Sequence, residues 1–417
     1  MVTDADISCD VLIAGCGVAG LFCALNLPPS LDVILLSKGS LDECDSMLAQ
    51  GGICVLRDES DYADFFRDTM RAGRYENRIE SVDVMIRESR GVIEELISLG
   101  VRFDCESDGS LSYTREAAHS RARICHCEDM TGKEITERLL EAVRRLPNAK
   151  IIEHAALIDI IVQDGACVGA CVENRVVAEE SACRIDFAPE DVGASGLSIA
   201  ARFTVLATGG IGGLYPRSTN YPILTGDALR IARKHDIDLE DVDCVQFHPT
   251  ALHTGKPGRA FLISEAARGE GAVLIDAAGE RFTDELAPRD VTTAAVEAKM
   301  REEGSDHVRL SFTGLDENWV KARFPGIYRR CLEEGWDITH EPIPVSPAQH
   351  YHMGGIRVDM DSQTSMERLF AVGEASCNGV HGRNRLASNS LLESLVFARR
   401  AARAIGKRLG VGNGIEG

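Results

Sequence analysis

The chain is short of positive charge. Its 417 residues carry 45 Lys and Arg against 65 Asp and Glu, a formal net charge of −20. No basic stripe outweighs that field, which argues against a nucleic-acid partner. If a substrate is an anion, the positive charge that holds it must be local to its site. Long apolar runs are lacking as well. None approaches the ~18 residues of a membrane span, and no signal peptide is read ahead of the first strand, so we expect a cytoplasmic protein with no membrane partner. The 14 cysteines lack metal-ligand spacing. Cys125-x-Cys127 and Cys167-x-x-x-Cys171 are close pairs without zinc-ribbon character, so reduced thiols and no metal are expected. Most of the cysteines then read as buried small apolar side chains. Internal repeats and low-complexity stretches are not found. What is present is 44% hydrophobic residues with charges of both signs dispersed, enough for a large core in about two to three domains.

The chain is organised around Asp10–Gly20. The apolar run Val11-Leu12-Ile13-Ala14 suits a buried parallel strand. Gly15-x-Gly17-x-x-Gly20 follows and opens a helix-compatible run, Leu21–Leu27. That is the context of a dinucleotide fingerprint. Gly15 permits the tight turn, Gly17 lets backbone approach a pyrophosphate, and Gly20 lets helix and strand pack closely. Asp32–Lys38 reads as the second strand. Ser37-Lys38 stands where an NAD site carries an acid for the ribose, which argues against a standard NAD dehydrogenase.

Cys44–Gly52 is rich in small residues, which allow backbone to lie against a flat ligand. Composition alone leaves a surface loop as the alternative. Segments 81–99 and 131–145 have helical apolar spacing. Gly100 is placed to stop the first, and Thr131-x-x-Glu134 reads as a capping box opening the second. Taken alone, the charged loop Thr114–Arg123 reads as a solvated excursion. Segments 151–173 and 201–207 have strand character, and Thr225-Gly226-Asp227 is placed to cap a helix running to His235. From 241 to 344 prolines, isolated His and Arg residues and short strands replace the βα rhythm, as in an inserted second domain. Leu369–Glu374 is a further strand ending in an acid, and His381–Leu391 leads into a long helix reaching about Leu409. The N-terminus of that helix offers free N–H groups and a positive dipole end.

Five motifs in order carry a resemblance: Ala49-Gln50-Gly51-Gly52, Gln246-Phe247-His248-Pro249-Thr250, Arg268-Gly269-Glu270-Gly271, Ala287-Pro288-Arg289-Asp290 and Asn384–Leu391. Through them the chain resembles the flavoprotein subunits of succinate dehydrogenase and fumarate reductase over residues 8–409. Within that superfamily it is most similar to the L-aspartate oxidases. The resemblance implies an α/β fold: a two-part, Rossmann-like FAD-binding domain (1–240 and 345–417) interrupted by a smaller α+β capping domain (241–344). The family's usual C-terminal helical domain is not expected after the long helix.

The resemblance also implies a cofactor and site roles. FAD would lie on Gly15, Cys16, Gly17, Val18, Ala19 and Gly20, with Lys38 at the acid's usual place. Ser46, Ala49, Gln50, Gly51 and Gly52 would run along the flavin, with Ala156 and Leu157 near the adenine. Asp227, Glu374, Ser390 and Leu391 would complete the flavin and ribose contacts. Asp45 stands four residues before the Ala-Gln-Gly-Gly, where covalently flavinylated relatives carry a His, so FAD is expected to be non-covalent. His248, Ser264, His350 and Arg385 would bind the two carboxylates of a C4 dicarboxylic acid, a task suited to a guanidinium fork. Arg289 matches the proton-transfer arginine, with Glu265 sharing the burden. Glu116 matches the acid that L-aspartate oxidases place near the substrate ammonium. The usual Gly-Gly after it is Ala117-Ala118 here. The implied activity is oxidation of L-aspartate to iminoaspartate, with oxygen or fumarate as acceptor, feeding quinolinate synthase on the route to NAD. The alternative is a soluble fumarate reductase or succinate dehydrogenase flavoprotein, which shares these residues but has no use for Glu116.

Overall fold

The computed structural model describes residues 5–174 and 196–411. Strand β1 (Ile7–Ala14) enters the core, and its second half is closed off from solvent. It turns through Gly15 into helix α1 (Val18–Asn26), whose residues 18–24 are all buried. Strand β2 (Val33–Leu36) then pairs parallel with β1, matching Val11 to Val33 and Ala14 to Leu36. Helices α2 (Tyr62–Ala72), α3 (Ile79–Ser98) and α4 (Thr131–Arg144) follow. Gly100 ends α3 with a left-handed backbone at φ +95°, as its spacing predicts.

The expected capping box on α4 does not form. Met130 is the N-cap, and Thr131 is already helical. Its hydroxyl accepts from Cys127 N–H and donates to the Gly51 carbonyl at 3.0 Å. Glu134 accepts instead from Arg102 N–H. A long-range acceptor wins over the local cap, and it ties α4 to the glycine strip.

The first sheet is completed by β3 (Ala149–Ile152), β4 (Ala155–Gln163), β5 (Ala166–Asn174) and β6 (Leu197–Leu206). Its order is β3-β2-β1-β6-β5-β4, parallel as far as β6 and antiparallel beyond it. Helix α5 (Asp227–Lys234) starts from a left-handed Gly226 without the expected side-chain cap.

The chain then leaves for a second, four-stranded antiparallel sheet. Its elements are β7 (Val245–Leu252), α6 (Glu265–Gly269), β8 (Val273–Ile275), α7 (Arg289–Glu303), β9 (Val308–Ser311), α8 (Glu317–Arg323), α9 (Pro325–Glu333) and β10 (Ile343–His352). The strand order is β7-β10-β9-β8, over a separate apolar cluster that includes Phe312, Phe324 and Ile327. Because β10 runs unbroken to His352, the expected return at residue 345 falls inside this sheet. The chain rejoins the first sheet as β11 (Leu369–Ala371), parallel to β6, and closes with α10 (Asn389–Arg408) packed on α1.

The loop read as a solvated excursion is mostly inside. Thr114, Glu116, Ala117, His119 and Arg123 are buried. Of its charges, Arg123 is buried in ion pairs with Asp61 and Asp68 and Glu116 is buried on the Ser388 hydroxyl, while Arg115 and Arg121 remain exposed. The thirteen described cysteines are all free, and Cys105 is exposed.

Candidate active site

The carboxyl ends of β1, β2, β6 and β11 face one cavity of about 500 Å³, the edge at which α/β sheets bind ligands. Gly15, Cys16, Gly17, Val18 and Ala19 line it. A Cβ on Gly15 would meet Ala207 O at 1.9 Å, so β1 and β6 close together only over a glycine. Gly20 lies beneath the lining, where a Cβ would meet Gly15 O at 2.0 Å. Ser46 lines the cavity and accepts from Val18 N–H at 3.1 Å in the first turn of α1. Ala49, Gln50, Gly51 and Gly52 form the next stretch of wall.

Lys38 and Asp227 meet there. Lys38 Nζ donates to Asp227 Oδ2 at 2.8 Å, to Thr225 Oγ1 at 2.7 Å and to Ile223 O at 2.9 Å. Leu157 lines the cavity together with Ala155. Ala156 does not, because alternate residues of β4 face opposite sides of the sheet. Glu374 accepts from His352 N–H at 2.8 Å, and burial pushes its carboxyl up to about 7. Ser390 and Leu391 line the wall in the first turn of α10.

At the other end the two sheets meet. Ser264, Glu265, Arg289, His350, Arg385 and Glu116 line the cavity. Glu265 sits between two guanidiniums, taking Arg289 Nε at 2.5 Å and Arg268 Nη2 at 2.6 Å. Burial raises its pKa, but Arg268, Arg289 and His248 outweigh that and hold it well below the usual range. Arg289 Nη1 donates to Gln246 Oε1 at 2.8 Å, and Gln246 Nε2 donates to Asn384 Oδ1 and Arg385 O, each at 2.8 Å. Ser264 caps α6 by accepting from Ala266 N–H at 3.2 Å.

The two histidines are neutral. His248 lies just behind the lining, its ring centroid 5.2 Å from that of His350. Its Nδ1 accepts from Thr250 N–H at 3.2 Å, which leaves the hydrogen on Nε2, 3.5 Å from Glu265 Oε2. Burial pulls its pKa down to about 3. His350 Nε2 accepts from Arg385 Nη2 at 3.0 Å, with Nδ1 on the Thr219 hydroxyl at 2.8 Å. Burial and the neighbouring arginines keep it well below the ordinary histidine range.

Arg385 and Glu116 are the exceptions to this pairing. Arg385 is 5% exposed, donates to His350 and Ser390, and lies 4.1 Å over the Tyr351 ring. Among the described residues no carboxylate forms an ion pair with it, and its Nε has no partner. Burial pulls its pKa down to about 10. Glu116, 2% exposed, accepts one hydrogen bond, from the Ser388 hydroxyl at 2.5 Å, and no described cation pairs with it. Its pKa is raised, by burial first; Ser388, Arg289 and Arg323 offset that in part, while Glu265 adds to it.

The residues present fit a flavin dinucleotide. Asp45 Oδ2, Gln50 Oε1, Thr208 Oγ1 and Arg385 Nε are buried, belong to residues that line the cavity and have no hydrogen-bond partner among the described residues. Glycines occupy the wall where backbone comes closest. The sequence reading missed Gln246, Arg268, Thr131 and Ser388. Gln246 carried a signal, since it sits two residues before His248 on one strand face. Thr131 and Ser388 carried none, because each acts on a residue far away in the chain. Away from the cavity, His253 Nε2 and His307 Nδ1 approach the Asp306 oxygens at 3.3 and 2.8 Å, a hydrogen-bonded cluster on the surface.

An FAD binding domain model matches residues 10–391. The L-aspartate oxidase of Clostridium perfringens is 48% identical over 394 residues, covering 94% of this chain and 85% of its own. That of Neisseria meningitidis is 41% identical over 406 residues, covering 95% and 78%. Among solved structures, an E. coli quinol fumarate reductase superposes with a TM-score of 0.87 at 30% identity, over 98% of this chain and 72% of that one. By its sequence the chain belongs to the L-aspartate oxidase family of FAD-binding proteins.

Proposed function

We propose that this chain oxidises L-aspartate to iminoaspartate in the cavity between its two sheets. One observation carries the reading. Among the described residues, the cavity holds a buried guanidinium without a carboxylate, Arg385, and a buried carboxylate without a cation, Glu116. A buried charge without a partner is costly, so the site complements a ligand that brings both an anion and a cation. L-Aspartate does so. Fumarate and succinate satisfy Arg385 and leave Glu116 unpaired, which disfavours the reductase alternative.

When bound, FAD supplies the acceptor for the two electrons removed from the substrate Cα–H bond. Arg385, His350, His248 and Ser264 bind and orient the carboxylates, and Glu116 holds the ammonium. Oxidation also releases one proton from the substrate ammonium, and Arg289, hydrogen-bonded to Glu265 and through it to Arg268, is the group placed to carry that proton away. Positioning of this kind accounts for much of an enzyme's rate. Asp45 stands at the covalent-linkage position with Oδ1 on Tyr221 N–H, so FAD is held without a covalent bond. Oxygen or fumarate reoxidises the flavin, and the product passes to quinolinate synthase. The reading includes a cytoplasmic location and a two-part FAD-binding domain interrupted by a capping domain that opens near residue 241 and closes after β10 ends at His352. No described helix is long and apolar enough to cross a membrane.

The test is anaerobic addition of L-aspartate or succinate to the yellow holoenzyme. L-Aspartate should bleach the flavin and succinate should not. Bleaching by succinate alone would establish the reductase alternative.

A further inference from the structure

We propose that Ser388 is a positioning residue that sets specificity for an ammonium-bearing substrate by fixing the Glu116 carboxylate against Gly51. The inference rests on the reading that Glu116 pairs with the substrate ammonium.

Ser388 immediately precedes α10 and holds a left-handed backbone at φ +60°. A non-glycine residue is strained there and persists only where its surroundings require it. Its carbonyl accepts from Cys54 N–H at 3.0 Å, which fixes the backbone from one side. Its hydroxyl donates to Glu116 Oε2 at 2.5 Å. That places the other oxygen on the glycine strip, where a Cβ on Gly51 would meet Glu116 Oε1 at 2.1 Å.

The backbone of Glu116 is held from the opposite side. A Cβ on Gly269 would meet Arg115 O at 2.4 Å and Glu116 Cα at 3.0 Å. Glu270 takes the Thr114 hydroxyl at 2.8 Å and Arg323 Nε at 2.9 Å. These contacts fix where residue 116 lies but not where its carboxylate points. Among the described residues, Ser388 makes the one hydrogen bond to that carboxylate.

The same hydrogen bond supports the charged form that an ammonium needs. Burial and Glu265 oppose ionisation of Glu116, while Arg289 and Arg323 favour it. Arg268, Arg385 and the Cys54 thiol also feel its charge. Without the Ser388 hydroxyl the carboxylate takes up its proton at a higher pH, so binding of the ammonium weakens first on the acid side.

The experiment compares Ser388→Ala and Ser388→Gly with the wild-type holoenzyme. Glycine suits the left-handed backbone and so removes the hydroxyl without adding strain. Both variants should lose about tenfold to a hundredfold in kcat/KM for L-aspartate at neutral pH, chiefly through KM, the scale of a hydrogen bond to a charged group. The acid limb of the pH profile should move to higher pH. Fumarate reduction, and succinate binding read from the flavin spectrum, should stay within about twofold. Equal losses for L-aspartate and fumarate, an unmoved acid limb, or no loss at all would overturn the role of Ser388. A wild-type enzyme that does not oxidise L-aspartate would instead overturn the functional reading on which it rests.

Discussion

Arg123 and Arg385 are both closed off from solvent, at 0% and 5% exposure. Arg123 is saturated. Asp61 takes its Nε and Nη2, Asp68 takes its Nη1 at 2.8 Å, and the Phe65 ring lies 5.1 Å away. Arg385 has neutral acceptors and an aromatic face but no carboxylate, and one of its nitrogens is bare. The first joins a loop to α2 and does not line the cavity. The second faces the space where a substrate would sit. A buried cation neutralised within the chain is architecture, whereas one left for a ligand to neutralise marks a site.

The largest expected effect is on the saturated side. Arg123→Met strands two buried carboxylates and should cost about 3–5 kcal/mol of stability. Urea unfolding of the holoenzyme measures it, and KM for L-aspartate should hold in the molecules that remain folded. An unchanged unfolding midpoint would break the contrast.

Arg385→Leu should do the opposite. It should weaken L-aspartate and fumarate by similar factors, about 2–5 kcal/mol in binding. Stability should stay level or rise, since an unpaired buried charge is removed. A midpoint that falls as far as that of Arg123→Met would assign Arg385 to the framework.

A buried acid outside the cavity sharpens the comparison through pH. Glu393 on α10 is 1% exposed, accepts from Asn378 and Ser394, and has no cation partner among the described residues. Burial pushes its carboxyl up to about 7. A raised folded pKa means its contribution is intact below the unfolded value, ~4.3, and is lost as pH rises through about 7. Glu393→Gln does not titrate. The variant should therefore match wild type near pH 4 and exceed it by about 1–3 kcal/mol above pH 7. A pH-independent difference would refute this.

The smallest effect concerns the loop shared by both sites. Ala118 holds a left-handed backbone at φ +66°, between Glu116 and Arg123, where the family resemblance places Gly-Gly. Ala118→Gly should relieve about 1 kcal/mol of strain, seen as a higher Tm with KM for L-aspartate unchanged. A lower Tm would mean that unfolded-state entropy outweighs the strain.

The strand-turn-helix of β1 and α1 was legible because its rules are local. Gly15 sits at φ +122° against β6, and the apolar run before it is buried. The helices over 79–98 and 131–144 were legible from apolar spacing for the same reason. The fumarate reductase and L-aspartate oxidase motifs carried the family and most of the cavity wall. Thr131 and the loop Thr114–Arg123 were misread where a distant partner overrode a local rule. Thr131 gave up its capping role for Gly51, and Arg123 and Glu116 of the loop found Asp61, Asp68 and Ser388 rather than water.

The sequence by itself determined the glycine fingerprint and the family motifs that line the cavity, because motif chemistry and backbone sterics need only near neighbours. Only the tertiary structure decided which charges are already matched. Lys38 meets Asp227 and Arg289 meets Glu265, while Arg385 and Glu116 stay open. Serine and glutamate 272 positions apart share a hydrogen bond because α10 and the Thr114–Arg123 loop converge on one cavity. Charge matching depends on distance and burial in three dimensions, and neither is a property of spacing along the chain.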